Sequence, residues 1–205
     1  MDRHRHNLTR LQQALAVSRT PSSDFDLNPG LRPREAALRP AAVLVPMVER
    51  GASLRVILTR RAARLKHHPG QVAFPGGKLD PTDPTPLAAA LREAEEEIGL
   101  PAAQVEVLGV LGPHETVTRF TVTPVVGLVA PGFRPRPEPG EVEEVFEVPF
   151  AFLMDPGNYQ VQARLWQGTE RRYHAIPYGP HYIWGATARI LRMLAERMQP
   201  PWDLR

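Results

Sequence analysis

The 205-residue sequence has no cysteine. That excludes disulfides, thiolate metal sites and a cysteine nucleophile, and it leaves the redox compartment open. Lysine is almost missing as well: Lys66 and Lys78 are the two present, so the positive charge is nearly all arginine. The formal net charge is just +3, although the pI is near 9.7. The arginines are scattered through the chain, whereas a nucleic-acid binder gathers its charge into a patch or stripe. No nucleic-acid partner is expected. Long apolar runs are also lacking. The longest, Ala41–Val45 continuing past Pro46 to Val48, is far short of the ~20 residues that cross a bilayer. No secretory apolar block follows Met1-Asp2-Arg3-His4-Arg5-His6. The arginine-rich start also fits an organellar transit peptide, a reading that Asp24 and Asp26 weaken. The expectation is a cytoplasmic protein away from membranes, monomeric or homodimeric, acting on a small molecule.

What is present points to an α/β (α+β) fold of many short elements, since 23 prolines disfavour long helices. Residues 1–40 read as an N-terminal helix and an extended arm: Leu8, Leu11 and Leu15 recur at helical spacing, with Asn7 as a candidate N-cap. The main domain is expected over 41–198, followed by a tail at 199–205. β-type runs fall at Ala41–Val48 and Leu54–Thr59, around a turn at 49–53. Residues 60–85 form a long connection rich in Gly, Pro, His and Asp, of the kind that usually serves function. A helix follows, capped by Thr85, with Pro86 at its first position, Gly99 at its stop and Leu87, Ala90, Leu91, Ala94 and Ile98 as its apolar stripe. Further strands are expected at Val105–Leu111, Thr121–Val129 and Val142–Val148, then a hairpin over Tyr159–Ile176. A last helix runs from Trp184 to Met198. Strands on both sides of a central helix suggest a sandwich around a mixed sheet.

Glu93, Glu95, Glu96 and Glu97 crowd the end of the central helix. At about 100° per residue, Glu93, Glu96 and Glu97 share an arc of about 100°, while Glu95 points nearly opposite. Like charges so placed repel. A hard divalent cation such as Mg²⁺ or Mn²⁺ would relieve that cost. The plain alternative is a solvated acidic face neutralised by Arg92, Arg189 or other arginines. The Gly76-Gly77 pair upstream favours the ion, because glycine lets backbone approach a ligand closely.

Arg92-Glu93-Ala94-Glu95-Glu96-Glu97-Ile98-Gly99-Leu100 resembles the second half of the Nudix box, which ends Arg-Glu-apolar-x-Glu-Glu-x-Gly-apolar. In the first half, counted from Gly77, the acid is an aspartate (Asp83, or Asp80) and Arg92 comes one residue late. Upstream, Ile57-Leu58-Thr59-Arg60-Arg61-Ala62, Lys66, Gly70 and Phe74-Pro75-Gly76-Gly77 are similar to the signature of the coenzyme A diphosphatase branch. Ile57 and Lys66 stand where that signature has Leu and Arg, and the late Arg92 also resembles this branch. Weaker echoes occur at 123–127, 141–149 and 183–187.

The resemblance implies a Nudix-type α/β/α sandwich and a metal-dependent hydrolase cleaving coenzyme A, or its acyl or oxidised forms, to 3′,5′-ADP and a 4′-phosphopantetheine product. It implies Glu93, Glu96 and Glu97 as metal ligands with the Gly76 carbonyl, Glu93 alternatively positioning or deprotonating the water. Arg92 would brace the loop, and Glu141 or Glu144 would supply an acid from outside the box. Arg60, Arg61 and Lys66 offer cations to phosphate groups; Gln71, Phe74 and Gly77 would line the pocket. His67, His68 and the pair His114-Glu115 lie within reach of that loop or site. Two alternatives stay open: a Nudix hydrolase of ADP-ribose or a dinucleotide, and a silent binding module. Degenerate modules typically lose the acids retained here.

Overall fold

The computed structural model describes residues 2–16, 20–33, 37–166 and 168–198. The expected tail, 199–205, lies outside them. The first helix, α1 (Asp2–Ala16), begins before Asn7, which is therefore inside the helix and not its cap. Leu11, Ala14 and Leu15 are buried in the core, so helical spacing located the element although its start carries no strong signal.

The sheet is built around β2 (Arg39–Arg50) and β3 (Ser53–Arg61). These strands are longer than expected, because Glu49 pairs with Leu54 and Arg50 with Ser53 across a tight Gly51-Ala52 turn. Gly51 has φ +57°, which suits glycine. Two short strands, β4 (Val72–Ala73) and β5 (Gly76–Lys78), organise the long connection. β5 lies antiparallel against Ala41–Val43 of β2, whose other antiparallel partner, β3, starts at Met47. Pro46 falls in the gap between them, where a missing N–H is tolerated. β8 (Phe120–Val129) runs parallel to β2 over its length. β6 (Val105–Val110) and β7 (His114–Glu115) pair with β8, and β9 (Val142–Pro149) pairs with β3. With β1 (Ser22–Ser23) beside β7, the mixed sheet has nine strands among the described residues.

Alternate residues of β2 enter opposite cores, and burial on both faces explains its unbroken apolar run. Ala42, Leu44 and Val48 pack against α2 (Pro86–Ile98). Val45 and Met47 join Leu11 of α1 and Ile190, Leu191 and Leu194 of the last helix on the other side. α3 (Phe150–Met154) adds Phe150 and Leu153 to that second layer. The expected hairpin is a three-stranded antiparallel sheet: β10 (Gln160–Trp166), β11 (Thr169–Tyr178) and β12 (His181–Trp184). β12 takes what the sequence suggested as the start of the last helix, which runs instead over Ala186–Met198 (α4). The architecture is the expected α/β/α sandwich with a small second sheet.

Candidate active site

The central helix is fixed as its residues dictate. The Thr85 hydroxyl accepts from Ala88 N at 3.1 Å, Pro86 opens the first turn, and Gly99 closes the last at φ +65°. Its buried face is rotated from the expected stripe: Ala89, Ala90, Ala94 and Ile98 are buried, Leu87 and Leu91 half-buried. Glu97 lies on that buried face at 3% exposure. Glu96 is exposed, and Glu95 faces solvent.

Against this acidic end runs β5. Gly76 N donates to Glu97 Oε2 at 3.3 Å. A Cβ on Gly76 would stand 2.5 Å from the Ala42 carbonyl oxygen, and one on Gly77 would run into the Glu93 carboxylate. Backbone closes the space at Gly76, whereas at Gly77 a side chain would have to displace the Glu93 carboxylate. Gly77 is thus explained by contact with the Glu93 carboxylate, and Gly76 by the backbone of β2.

Arg92 ties the loop to the helix. Its Nε and Nη2 donate to the two Asp83 oxygens at 3.1 and 3.0 Å. The same guanidinium donates to Glu93 Oε1 at 3.1 Å and, from Nη1, to Glu96 Oε2 at 2.8 Å. Asp83 also accepts from Asp80 N at 2.9 Å. Asp80 itself is 3.7 Å from Arg92 and largely exposed, so of the two candidate loop acids Asp83 is the one held. The arginine hydrogen bonds keep Asp83 below the usual carboxylate range.

Glu97 is in the opposite state. Burial pushes its carboxyl up to about 8, and Glu93 and Glu141 push the same way against a distant Arg61. Arg61 Nη1 stands 3.8 Å from Glu97 Oε1, too far for a hydrogen bond. Burial likewise raises Glu93, more than Arg92 lowers it. This is a set of hard oxygen donors short of positive charge, the chemistry a divalent cation satisfies. Among the described residues no three Asp, Glu or His side chains are already gathered at ligand spacing; Arg92 holds Glu96 and Glu93. Glu93, Glu96 and Glu97, with the Gly76 carbonyl, are the donors that could hold such a cation, Glu96 on release from Arg92.

Of the two outer acids, Glu141 is the one whose field reaches Glu93 and Glu97. Glu144 accepts from Arg60 Nε at 3.0 Å and lies 3.5 Å from His181. Arg60 also reaches Glu143 at 3.2 Å. Arg60 is therefore engaged on β9 and is off the cavity wall, and Lys66 is exposed on the loop. Arg189 does not neutralise the acidic helix: it pairs with Asp26 at 2.8 Å and Glu196 at 3.3 Å. Buried His114 bonds Ser22 Oγ at 2.9 Å and Asp24 Oδ1 at 3.1 Å, while Glu115 pairs with Arg32. Both fasten the arm instead of serving the acids. His67 is exposed, and His68 is on the cavity wall.

A cavity of about 420 Å³ opens beside Gly76 and Gly77. Arg61, Gln71 and Phe74 line it as expected, Phe74 also being core at 3% exposure. Its far wall was missed from sequence: Arg164, Trp166, Arg171, His174 and Trp184 of the small sheet, roofed by Asp24 and Asn28 of the arm. The available signal was the density of arginine and tryptophan over 164–172.

Residues 37–167 match the NUDIX domain family. The chain belongs to the Nudix family. It is 45% identical over 169 residues to an uncharacterised Nudix hydrolase, NudL, of Salmonella dublin, covering 82% of this chain and 88% of that one. To NudL of Salmonella paratyphi B it is 47% identical over 157 residues, covering 77% and 81%. Among solved structures, the Nudix domain of Shewanella oneidensis NrtR, complexed with ADP ribose, superimposes with a TM-score of 0.51 at 16% identity, over 83% of this chain and 96% of that one. As a Nudix hydrolase the protein is a pyrophosphohydrolase, an enzyme class that generally needs divalent metal ions. No helix among the described residues is long and apolar enough to cross a membrane.

Proposed function

We propose that this Nudix hydrolase cleaves the diphosphate of coenzyme A, or of its acyl or oxidised derivatives, with Mg²⁺ or Mn²⁺. The products are 3′,5′-ADP and (acyl-)4′-phosphopantetheine. One observation carries the reading. Arg61, Phe74, Gly76 and Gly77, all in the stretch that resembles the coenzyme A diphosphatase signature, line one cavity, and its two glycines also touch the Glu97 and Glu93 carboxylates.

A bound divalent ion neutralises diphosphate oxygens and lowers the pKa of a water. Glu93 and Glu97 supply its carboxylates, and Arg92 fixes their loop. Arg61 presents a cation beside Glu97 for a phosphate oxygen. Glu93 or Glu141 accepts the proton of the attacking water as its oxygen bonds to phosphorus. The bridging P–O bond breaks, and the second phosphate leaves with those electrons. No side-chain nucleophile is needed, in keeping with a chain without cysteine.

Incubation of the purified protein with coenzyme A and Mg²⁺ should release 3′,5′-ADP. Absence of that product across coenzyme A and its thioesters, with turnover of ADP-ribose or a dinucleotide, would transfer the activity to those substrates.

A further inference from the structure

Four buried side-chain nitrogens have no hydrogen-bond partner among the described residues: Arg61 Nε, Arg171 Nε, His174 Nδ1 and Arg197 Nη1. Three of these four residues, Arg61, Arg171 and His174, line the one cavity beside Gly76 and Gly77. A buried donor left unpaired costs ~1–3 kcal/mol. A wall that holds several of them is built for a ligand rich in acceptors.

Arg61 belongs to the glutamate end. The others stand on the second sheet, away from the box helix. There the guanidinium of Arg171 lies 4.6 Å from the Trp166 ring centroid, and that of Arg164 lies 4.5 Å from the Trp184 ring. Stacking of this kind immobilises the guanidinium and leaves its edge N–H groups free to fork onto an oxyanion. Neither arginine forms an ion pair with any acid among the described residues, unlike Arg60, Arg92 and Arg189. Burial, with the nearby Arg189 and Arg192, lowers the proton affinity of His174, so its ring is suited to a hydrogen bond more than to charge. The roof is pinned over this wall: Asn28 donates to Arg172 O at 2.8 Å and accepts from Arg172 N at 2.9 Å.

We propose that Arg171 and Arg164 bind a phosphate monoester carried by the substrate at a distance from the diphosphate that is cleaved. The inference rests on the coenzyme A reading and identifies the wall that recognises its 3′-phosphate. It replaces the expected cations Arg60 and Lys66, of which the first is consumed by Glu143 and Glu144 and the second lies off the cavity.

Calorimetric titration of the full chain with 3′,5′-ADP and with 5′-AMP separates this proposal from the activity. The expected result is binding of 3′,5′-ADP at least tenfold tighter than 5′-AMP. The ratio should fall to about one in Arg171→Ala and drop severalfold in Arg164→Ala, with unchanged thermal melts certifying the fold. A ratio near one in the unmodified protein, binding of neither nucleotide, or a ratio that both variants keep would overturn the proposal, even if coenzyme A is hydrolysed. Failure to hydrolyse coenzyme A with the ratio intact and arginine-dependent would overturn the substrate reading and leave the phosphate site standing.

Discussion

Glu97 concentrates the chemistry at the scale of one residue. A carboxyl at 3% exposure with a proton affinity raised to about 8 is an anion held back by its surroundings. The sign of its effect on stability follows. The unfolded chain has an ordinary glutamate near 4.5 and the folded one near 8, so between those values the native state holds the extra proton. Stabilisation from this group is full below about pH 4.5 and is lost as pH rises through about 8, at up to ~1.4 kcal/mol per pH unit. Urea denaturation of the metal-free protein from pH 5 to 8 should show that decline. Glu97→Gln should flatten it and melt no lower than the unmodified chain at pH 8, while turnover falls by roughly 10³-fold through loss of a metal ligand. Saturating Mg²⁺, which selects the carboxylate, should flatten the slope of the unmodified protein as well.

At the scale of elements, the site is a helix end pressed on a two-glycine strand and buckled by one arginine. Arg92→Ala frees Asp83, Glu93 and Glu96 together. Turnover should drop about 10- to 100-fold, the usual cost of losing a group that orients ligands, with the fold retained by circular dichroism. Gly77→Ala forces the Glu93 carboxylate aside. It should lower kcat far more than it lowers the melting temperature, because the obstructing atoms end a flexible side chain. Gly76→Ala meets the Ala42 backbone instead and should destabilise the whole sheet. The helix was legible because local signals agree: Thr85, Pro86 and Gly99 act where their chemistry requires. Glu97 was legible as an acid on the right arc and illegible as a buried residue, since periodicity places carboxylates with the polar face by default. The strands β4 and β5 are too short to carry a pattern. They exist through pairing with β3 and β2, which no local window contains.

At the scale of the molecule, the arm supplies one side of the cavity. His114 donates through Nε2 to the Asp24 carboxylate and shares a hydrogen bond with the Ser22 hydroxyl through Nδ1; Asp24 accepts from Val117 N as well, at 3.0 Å. His114→Ala removes a hydrogen bond from buried Ser22 and another from half-buried Asp24, opens a cavity, and should cost about 3 kcal/mol in chemical denaturation. It should also weaken nucleotide binding, through loss of the roof. These contacts span about 90 residues of sequence, which is why His114 read as a neighbour of the active site and not as an anchor of the arm. The far wall of the cavity was hidden for the same reason: Arg164, Arg171 and Trp184 meet Gly76 and Gly77 only through tertiary packing. The measurement that bears most directly on the whole is Mn²⁺ binding to the full chain, followed by electron paramagnetic resonance with 3′,5′-ADP present. The unmodified protein should remove Mn²⁺ from the free pool saturably, and Glu93→Gln and Glu97→Gln should each weaken that binding by at least tenfold. Unaltered binding in both variants would contradict the assignment of the helix end as the metal site.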